Sequence, residues 1–369
     1  MDKMSNRREI WVDIVKGFAI IAVVLGHIDY DYPKLRLLPL ADILAEFWHV
    51  PVFFIVGGFF LTEQRLIQPI SFIKNKLRSL YLLILYIYFP ILLLHNFFIK
   101  IGFYSVLYNY SGKYVTLWTW ADFLKNGAYA ILGAGREPIL GAMWFVYVLF
   151  FALCILSVIS WALNKLVKNI SRVEQVRCLS LMVLAMLFSV LTQIYEITIP
   201  RFSNVFTAMW LIYLGMLIKQ KFGIQFNKGI LLLISILISY YLMVIYSGRV
   251  SLNTNKFADL VTLTVSSITC LYTIAFISKK IQEKYLGRLL CLIGKNSFYI
   301  MGLQFIGFKI CTLLVNYVVG GTIDLAPLKA PAGNNLTLFF LYLVFGVSVP
   351  IIIVTFVREA KSLLTKLVK

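Results

Sequence analysis

Charge is scarce in this chain, and acidic charge scarcest of all. Of 369 residues 14% are charged, and 16 Asp and Glu stand against 35 Lys and Arg. A soluble domain of this size carries about a quarter charged residues, so that class is excluded. Cysteine is also sparse. The five (Cys154, Cys178, Cys270, Cys291, Cys311) lie in or beside apolar runs, form no CxxC pair and are odd in number. Neither a disulfide framework nor a zinc site follows, and no metal is expected. The motifs GxSxG, HExxH, Walker A and GxGxxG are missing in any useful context. No cleavage site follows the first apolar stretch, so it reads as a retained helix and not as a signal peptide. No internal repeat, low-complexity linker or second composition class divides the chain, so residues 1–369 form a single membrane domain.

What is present is apolar. The chain is 60% hydrophobic with a mean hydropathy of +0.86. Its apolar runs are about 20 residues long, the length that crosses a hydrocarbon core of roughly 30 Å as helix. A β-barrel would alternate in segments of about ten, which these runs do not do. The expected fold is an all-α polytopic membrane protein of about ten transmembrane helices. They fall near 11–29, 43–61, 79–99, 142–163, 178–197, 203–219, 229–247, 259–278, 289–315 and 335–357. The net charge of +19 invites a nucleic-acid reading. With both termini cytoplasmic, however, 21 of the 35 basic residues fall in the inner segments, ten in the outer ones and four within spans. That is the positive-inside bias, and no nucleic acid is needed to explain the charge. The long outer connection, about 100–141, contains Trp118, Trp120, Arg136 and Glu137 and is long enough to be functional or to hold structure of its own.

A charge at mid-membrane costs at least about 2.5–3.5 kcal/mol, so each one is a functional hypothesis. In "DIVKGFAIIAVVLGH" Lys16 and His27 are eleven residues apart. On a helix that spacing separates them by about 20° around the axis and about 16 Å along it. Both are expected to face one cavity, Lys16 near its cytoplasmic end and His27 toward the outer end, with Asp13 pairing with Lys16. The competing account is snorkelling at the two interfaces. His49, in "FWHVPVFFIVGGFF", is expected near the level of His27, while His95 in "PILLLHNFF" reads as an interfacial histidine. In "KNKLRSLY" Lys76 and Arg78 could hold phosphates, with Arg78 deepest. "IGKNSFYIMGLQF" lays a polar seam of Lys295, Asn296, Ser297, Tyr299 and Gln304 on an apolar helix, and Ser297 and Gln304 share a face.

At these positions the sequence resembles the acyltransferase-3 family of integral membrane acyltransferases, most nearly its sugar O-acetylase branch typified by fucose 4-O-acetylase. Asp13, Lys16 and His27 match the family's first-helix pattern, and Trp48, His49, Pro51, Phe53, Phe54, Gly57 and Gly58 its second-helix segment. Arg78 fits the basic group that opens the third helix, Trp144 in "GAMWFVYVLF" the Leu-Trp-Phe-Leu segment, and "GKNSFYIMGLQ" the late helix. Lys16 stands where Arg is commoner, Gly57 where Ser is, and Gln304 where a late His is usual, which leaves His27 as the main candidate base.

The resemblance implies acyl transfer across a bacterial inner membrane. The donor would be cytoplasmic acetyl-CoA or another acyl-CoA. The acceptor would be a hydroxyl of an extracytoplasmic glycan or lipid-linked sugar, with glycan-synthesis machinery and membrane lipid as partners. Lys16, Lys76 and Arg78 would hold the donor and His27, with Asp13 nearby, would serve catalysis. Ser297, Gln304 or Tyr299 would stabilise the oxyanion or position the acceptor, and Glu137 with the tryptophan-rich loop would contact sugar. A polysaccharide or lipid-linked sugar exporter is the alternative from another class, since intramembrane Lys and His also suit a substrate pathway. A scaffold with vestigial polar residues is a third.

Overall fold

The computed structural model describes residues 9–33, 38–110, 113–167, 169–193, 202–247 and 250–367. Residues 194–197 of the expected fifth span therefore lie outside the described residues. The chain is a multi-pass helical bundle. Among the described residues, seven helical segments are long and apolar enough to cross a membrane: Pro69–Leu93, Pro138–Leu166, Arg172–Thr192, Gly229–Tyr246, Leu260–Ile281, Ser297–Val319 and Leu336–Leu363.

The first of the expected spans is α1, Ile10–Gly26, at 17 residues. It is followed by a three-residue strand, β1, Ile28–Tyr30. The second is broken. A π-helical turn at Asp42–Glu46 precedes α2, His49–Gly58, which has only ten residues. A helix of 17 residues is about 26 Å long, short of the hydrocarbon thickness. Both helices nevertheless carry apolar residues all round, the mark of an interior helix, and both are interior. Val12, Val15, Ala19, Ile20 and Val24 of α1 and Val52, Ile55 and Val56 of α2 are buried.

Next come α3, Glu63–Leu66, and α4, Pro69–Lys76. A second π-helical turn, Leu77–Tyr81, joins α4 to α5, Leu82–Leu93, and these together make one span. The long connection does hold structure of its own. It contains α6 (His95–Lys100), a hairpin of β2 (Asn109–Tyr110) and β3 (Lys113–Tyr114), and α7 (Trp120–Ile131), started by a Thr119–Asp122 capping box. A 3₁₀ segment at Pro138–Met143 leads into α8, Trp144–Leu166. Then follow α9 (Ile170–Gln193), α10 (Phe202–Gln220), α11 (Gly229–Tyr246), α12 (Leu260–Ile281), α13 (Tyr285–Lys295) and α14 (Ser297–Val319). The fold closes with strand β4, Ala330–Gly333, and α15, Leu336–Leu367.

The core is built around α1, which packs on α2, α12, α13, α14 and α15. Two crossings are closed by reciprocal glycines. A Cβ on Gly294 of α13 would sit 1.7 Å from the Asp13 carbonyl of α1, and one on Gly17 of α1 would sit 2.2 Å from that of Leu290. The α2–α10 crossing repeats the device with Gly58 against Ile212 and Gly215 against Ile55, each at 1.9 Å. Without a large hydrophobic driving force between helices in lipid, such close backbone approach is what lets van der Waals contact hold them. Past the end of α1, β1 pairs in parallel with β4, and the Ala330 amide donates to the His27 carbonyl at 3.0 Å. The chain on either side of His27 is thereby fixed, by helix before it and by a strand after it.

Candidate active site: two cavities sharing a wall

His27 follows the last turn of α1, where the helix gives way to β1. Its Nδ1 lies 2.7 Å from the carbonyl oxygen of Val23, one turn back. A carbonyl only accepts, so Nδ1 carries the hydrogen and a neutral ring keeps its lone pair on Nε2. Phe305 of α14 meets the ring edge-on with centroids 5.0 Å apart, which limits its rotation. The side chain lines a cavity of about 310 Å³ together with His49, Glu46, Pro51, Trp144 and the 250–253 loop. The two histidines expected near one level thus line one cavity. The Trp48 indole, donating to the Ile43 carbonyl at 2.9 Å, steadies the turn that delivers His49.

Lys16, on the same helix, lines a different cavity of about 350 Å³ with Lys76, Ser79, Gly57, Phe60 and Ser297. Its ammonium donates to Asp13 at 3.0 Å, and Asp13 is buried. One continuous cavity was expected; two are present. They share Phe145 and Met301 in their linings, and these two buried side chains stand between the lysine and the histidine. Lys16 and His27 thus line different cavities, whose common wall is made by side chains from α8 and α14.

The structure brings together some of the other sequence candidates and disperses the rest. Trp144 lines the His27 cavity and also a third one, of about 420 Å³, under the long connection; Asn253 is shared by the same two. Ser297 faces the Lys16 cavity. Gln304 is fully buried, donating to the Met301 carbonyl at 3.4 Å, and its Oε1 has no hydrogen-bond partner among the described residues. Arg78 is exposed in the π-helical turn, whereas Lys76 is half-buried and lines the cavity, which reverses the expected ranking of the two. Lys295 is exposed at the end of α13, and Asn296 caps that helix by donating to the Leu292 carbonyl at 3.0 Å. Tyr299 lies under the Arg358 guanidinium at 5.1 Å.

Glu137 and His95 are a correction of a different kind. His95 is not interfacial; it is buried, with Nδ1 2.9 Å from Glu137 Oε2 and Nε2 3.1 Å from the Thr116 carbonyl. Both nitrogens have protein partners. Tyr104 donates to the other carboxylate oxygen, the Glu137 amide donates to Tyr88 at 2.7 Å, and Trp118 stacks on the His95 ring at 3.5 Å. Burial and the neighbouring carboxylate push the Tyr104 hydroxyl well above its ordinary value, so it stays a donor. Glu137 lines the third cavity, but its oxygens already have protein partners.

Sequence reading missed two features. The 250–253 loop lines the His27 cavity because Asn204 of α10 donates to the carbonyls of Leu252 and Asn253 at 2.7 and 2.9 Å. Lys309, buried on α14, donates to the carbonyls of Leu325, Ala326 (3.2 Å) and Pro327 (2.6 Å), pinning the loop that leads into β4. A lysine inside an apolar run was the available signal for the second; no signal at sequence level reached the first.

The family model for an acyltransferase domain, acyltransferase-3, matches residues 9–355. The chain belongs to the acyltransferase-3 family. As a member, it is a multi-pass membrane acyltransferase, and the matched residues include both of the back-to-back cavities and the third cavity under the connection. Comparison with curated proteins and with solved structures returned no match.

Proposed function

We propose that this acyltransferase moves an acetyl group from cytoplasmic acetyl-CoA to a hydroxyl of an extracytoplasmic or lipid-linked glycan, in a bacterial inner membrane. The observation that carries the reading is the pairing of a histidine whose Nε2 keeps its lone pair, in one cavity, with a lysine-lined cavity sharing its wall. The basic end is the donor's. Lys16 and Lys76 supply ammonium groups for CoA phosphates, and Ser79 and Ser297 add hydroxyls. Asp13 fixes Lys16 in position. The His27 cavity, continued by Trp144 and Asn253 toward the aromatic and polar third cavity, is the acceptor's. Trp118, Tyr110 and Tyr114 offer ring faces for sugar there, and Glu137 holds that wall in shape through His95 and Tyr104.

The reaction balances on these groups. Nε2 of His27 takes the acceptor's hydroxyl proton as the oxygen attacks the thioester carbonyl. Collapse of the tetrahedral intermediate breaks the C–S bond, and the CoA thiolate leaves with the proton that His27 returns, giving ester and free thiol. The Nδ1–H bond to Val23 holds the tautomer through the cycle.

The test uses purified protein in detergent and radiolabelled acetyl-CoA. His27→Ala is expected to lower turnover by about 10²–10⁴-fold with CoA affinity retained, and Lys16→Ala to weaken CoA binding. An exporter would lose glycan movement without ever consuming acetyl-CoA. Wild-type protein that neither binds nor turns over acetyl-CoA would sink the proposal.

A further inference from the structure

Phe145 and Met301 belong to both linings, and each is at most 5% exposed. They differ in freedom. Phe145 is wedged among aromatic rings: Phe54 at 4.5 Å, Phe53 at 5.5 Å and Trp144 at 6.2 Å between centroids. Met301 is unbranched, with three rotatable bonds in its side chain and a polarizable sulfur, the most adaptable apolar side chain. It sits on α14 four residues before Phe305, so the barrier and the ring that steadies His27 occupy successive turns of one helix face. Its neighbour Gly302 bears no side chain; a Cβ there would approach the Met143 sulfur at 3.0 Å.

We infer that Met301 is a movable gate against a fixed Phe145 jamb, and that this pair sets which acyl groups pass from the Lys16 cavity to the His27 cavity. The inference rests on the acyl-transfer reading and adds a specificity determinant to it. The acyl end of the donor reaches Nε2 only when the thioether turns aside. A two-carbon group needs the smallest displacement; each further methylene must be accommodated against the Phe145 ring. A single methylene in an apolar site is worth about 10–200-fold in discrimination, so the pair is enough to make the enzyme selective for short acyl groups. Closed, the same pair keeps the two cavities, and the two sides of the membrane, from communicating.

Two experiments on the full chain in proteoliposomes test this. In the first, Gly26→Cys places a thiol in the His27 cavity, where the new Cβ meets only Ala45 at an ordinary 3.8 Å. A small membrane-impermeant methanethiosulfonate is added to one side or the other, and modification at position 26 is read by peptide mass. Modification is expected from one side only, and from both sides once Met301→Ala is added. Equal modification from both sides in the presence of Met301, or one-sided modification that survives Met301→Ala, overturns the barrier. In the second, acetyl-CoA and butyryl-CoA consumption are compared. Met301→Ala is expected to raise the butyryl-to-acetyl ratio by at least about tenfold, while the volume-conserving Met301→Leu leaves it near the wild-type value. Acetyl-CoA consumption with an unmoved ratio sinks the gate alone. No consumption of either thioester by any variant sinks the acyl-transfer function, and the gate's assigned role with it.

Discussion

The side chains that decide the chemistry are few, and their roles follow from which partners they can accept. His27 is set by a single carbonyl, since Val23 can only receive a hydrogen. His95, facing a carboxylate on one nitrogen and a carbonyl on the other, is instead held in a buried polar network. The two histidines look alike in sequence, each at the end of an apolar run, and the reading that separated them favoured the wrong account of His95. Its partner lies 42 residues away, beyond any local pattern. The pairing carries a direct prediction. Glu137→Gln replaces the acceptor that both His95 and Tyr104 face with an amide that matches only one of them, and should destabilise the protein by about 1–3 kcal/mol, read as a lower unfolding temperature in detergent. His27→Ala should leave that temperature near wild type. If Glu137→Gln is as stable as the wild type, the pair is not holding the loop.

At the scale of elements, two irregularities shape the Lys16 cavity. The π-helical turn Leu77–Tyr81 begins directly after Lys76. Lys76 lines the cavity and Arg78 is in the open; two residues apart on a helix, they point to nearly opposite sides, so the sequence could tell that they part but not which of them the cavity takes. The second irregularity is the α1–α13 crossing, closed by Gly17 and Gly294 at the level of Asp13 and Lys16. Gly294→Ala puts a methyl group 1.7 Å from the Asp13 carbonyl, so the helices must part. The expected cost is about 1–3 kcal/mol from overpacking, with CoA affinity falling as the Asp13–Lys16 pair moves. Measured by unfolding and by equilibrium binding, unchanged values for both would show that the crossing has room to relax.

For the whole molecule, the basic residues specify an orientation that the bundle itself does not. Our expectation is that both termini face the cytoplasm, from the 21 basic residues assigned to the inner segments against ten in the outer ones. Impermeant labelling of single cysteines at Asn253 and Lys284 tests it. The first should react from outside the cell and the second only after permeabilisation; the reverse pattern would invert the proposed donor and acceptor sides. Among the described residues seven helices meet the length and apolarity of a span, while α1, which carries Lys16 and leads into His27, and α2, which begins at His49, are shorter and lie inside the bundle. Their length is explained by their neighbours: an interior helix need not match the bilayer, because surrounding helices meet the lipid.

By itself the sequence determined the class of protein, the membrane, the helical fold and the Asp13–Lys16–His27 constellation. All of these rest on composition or on the local period of one helix, and the energetic penalty for an intramembrane charge makes such residues conspicuous. Tertiary structure alone decided that Lys16 and His27 line two cavities, that Phe145 and Met301 belong to both linings, that Lys76 lines the Lys16 cavity while Arg78 is exposed, and that Glu137 belongs to His95 and Tyr104. Each of those depends on side chains from elements far apart in the chain meeting in three dimensions. Packing sets such meetings, and a periodic pattern read along one helix holds no information about what the other helices bring to it.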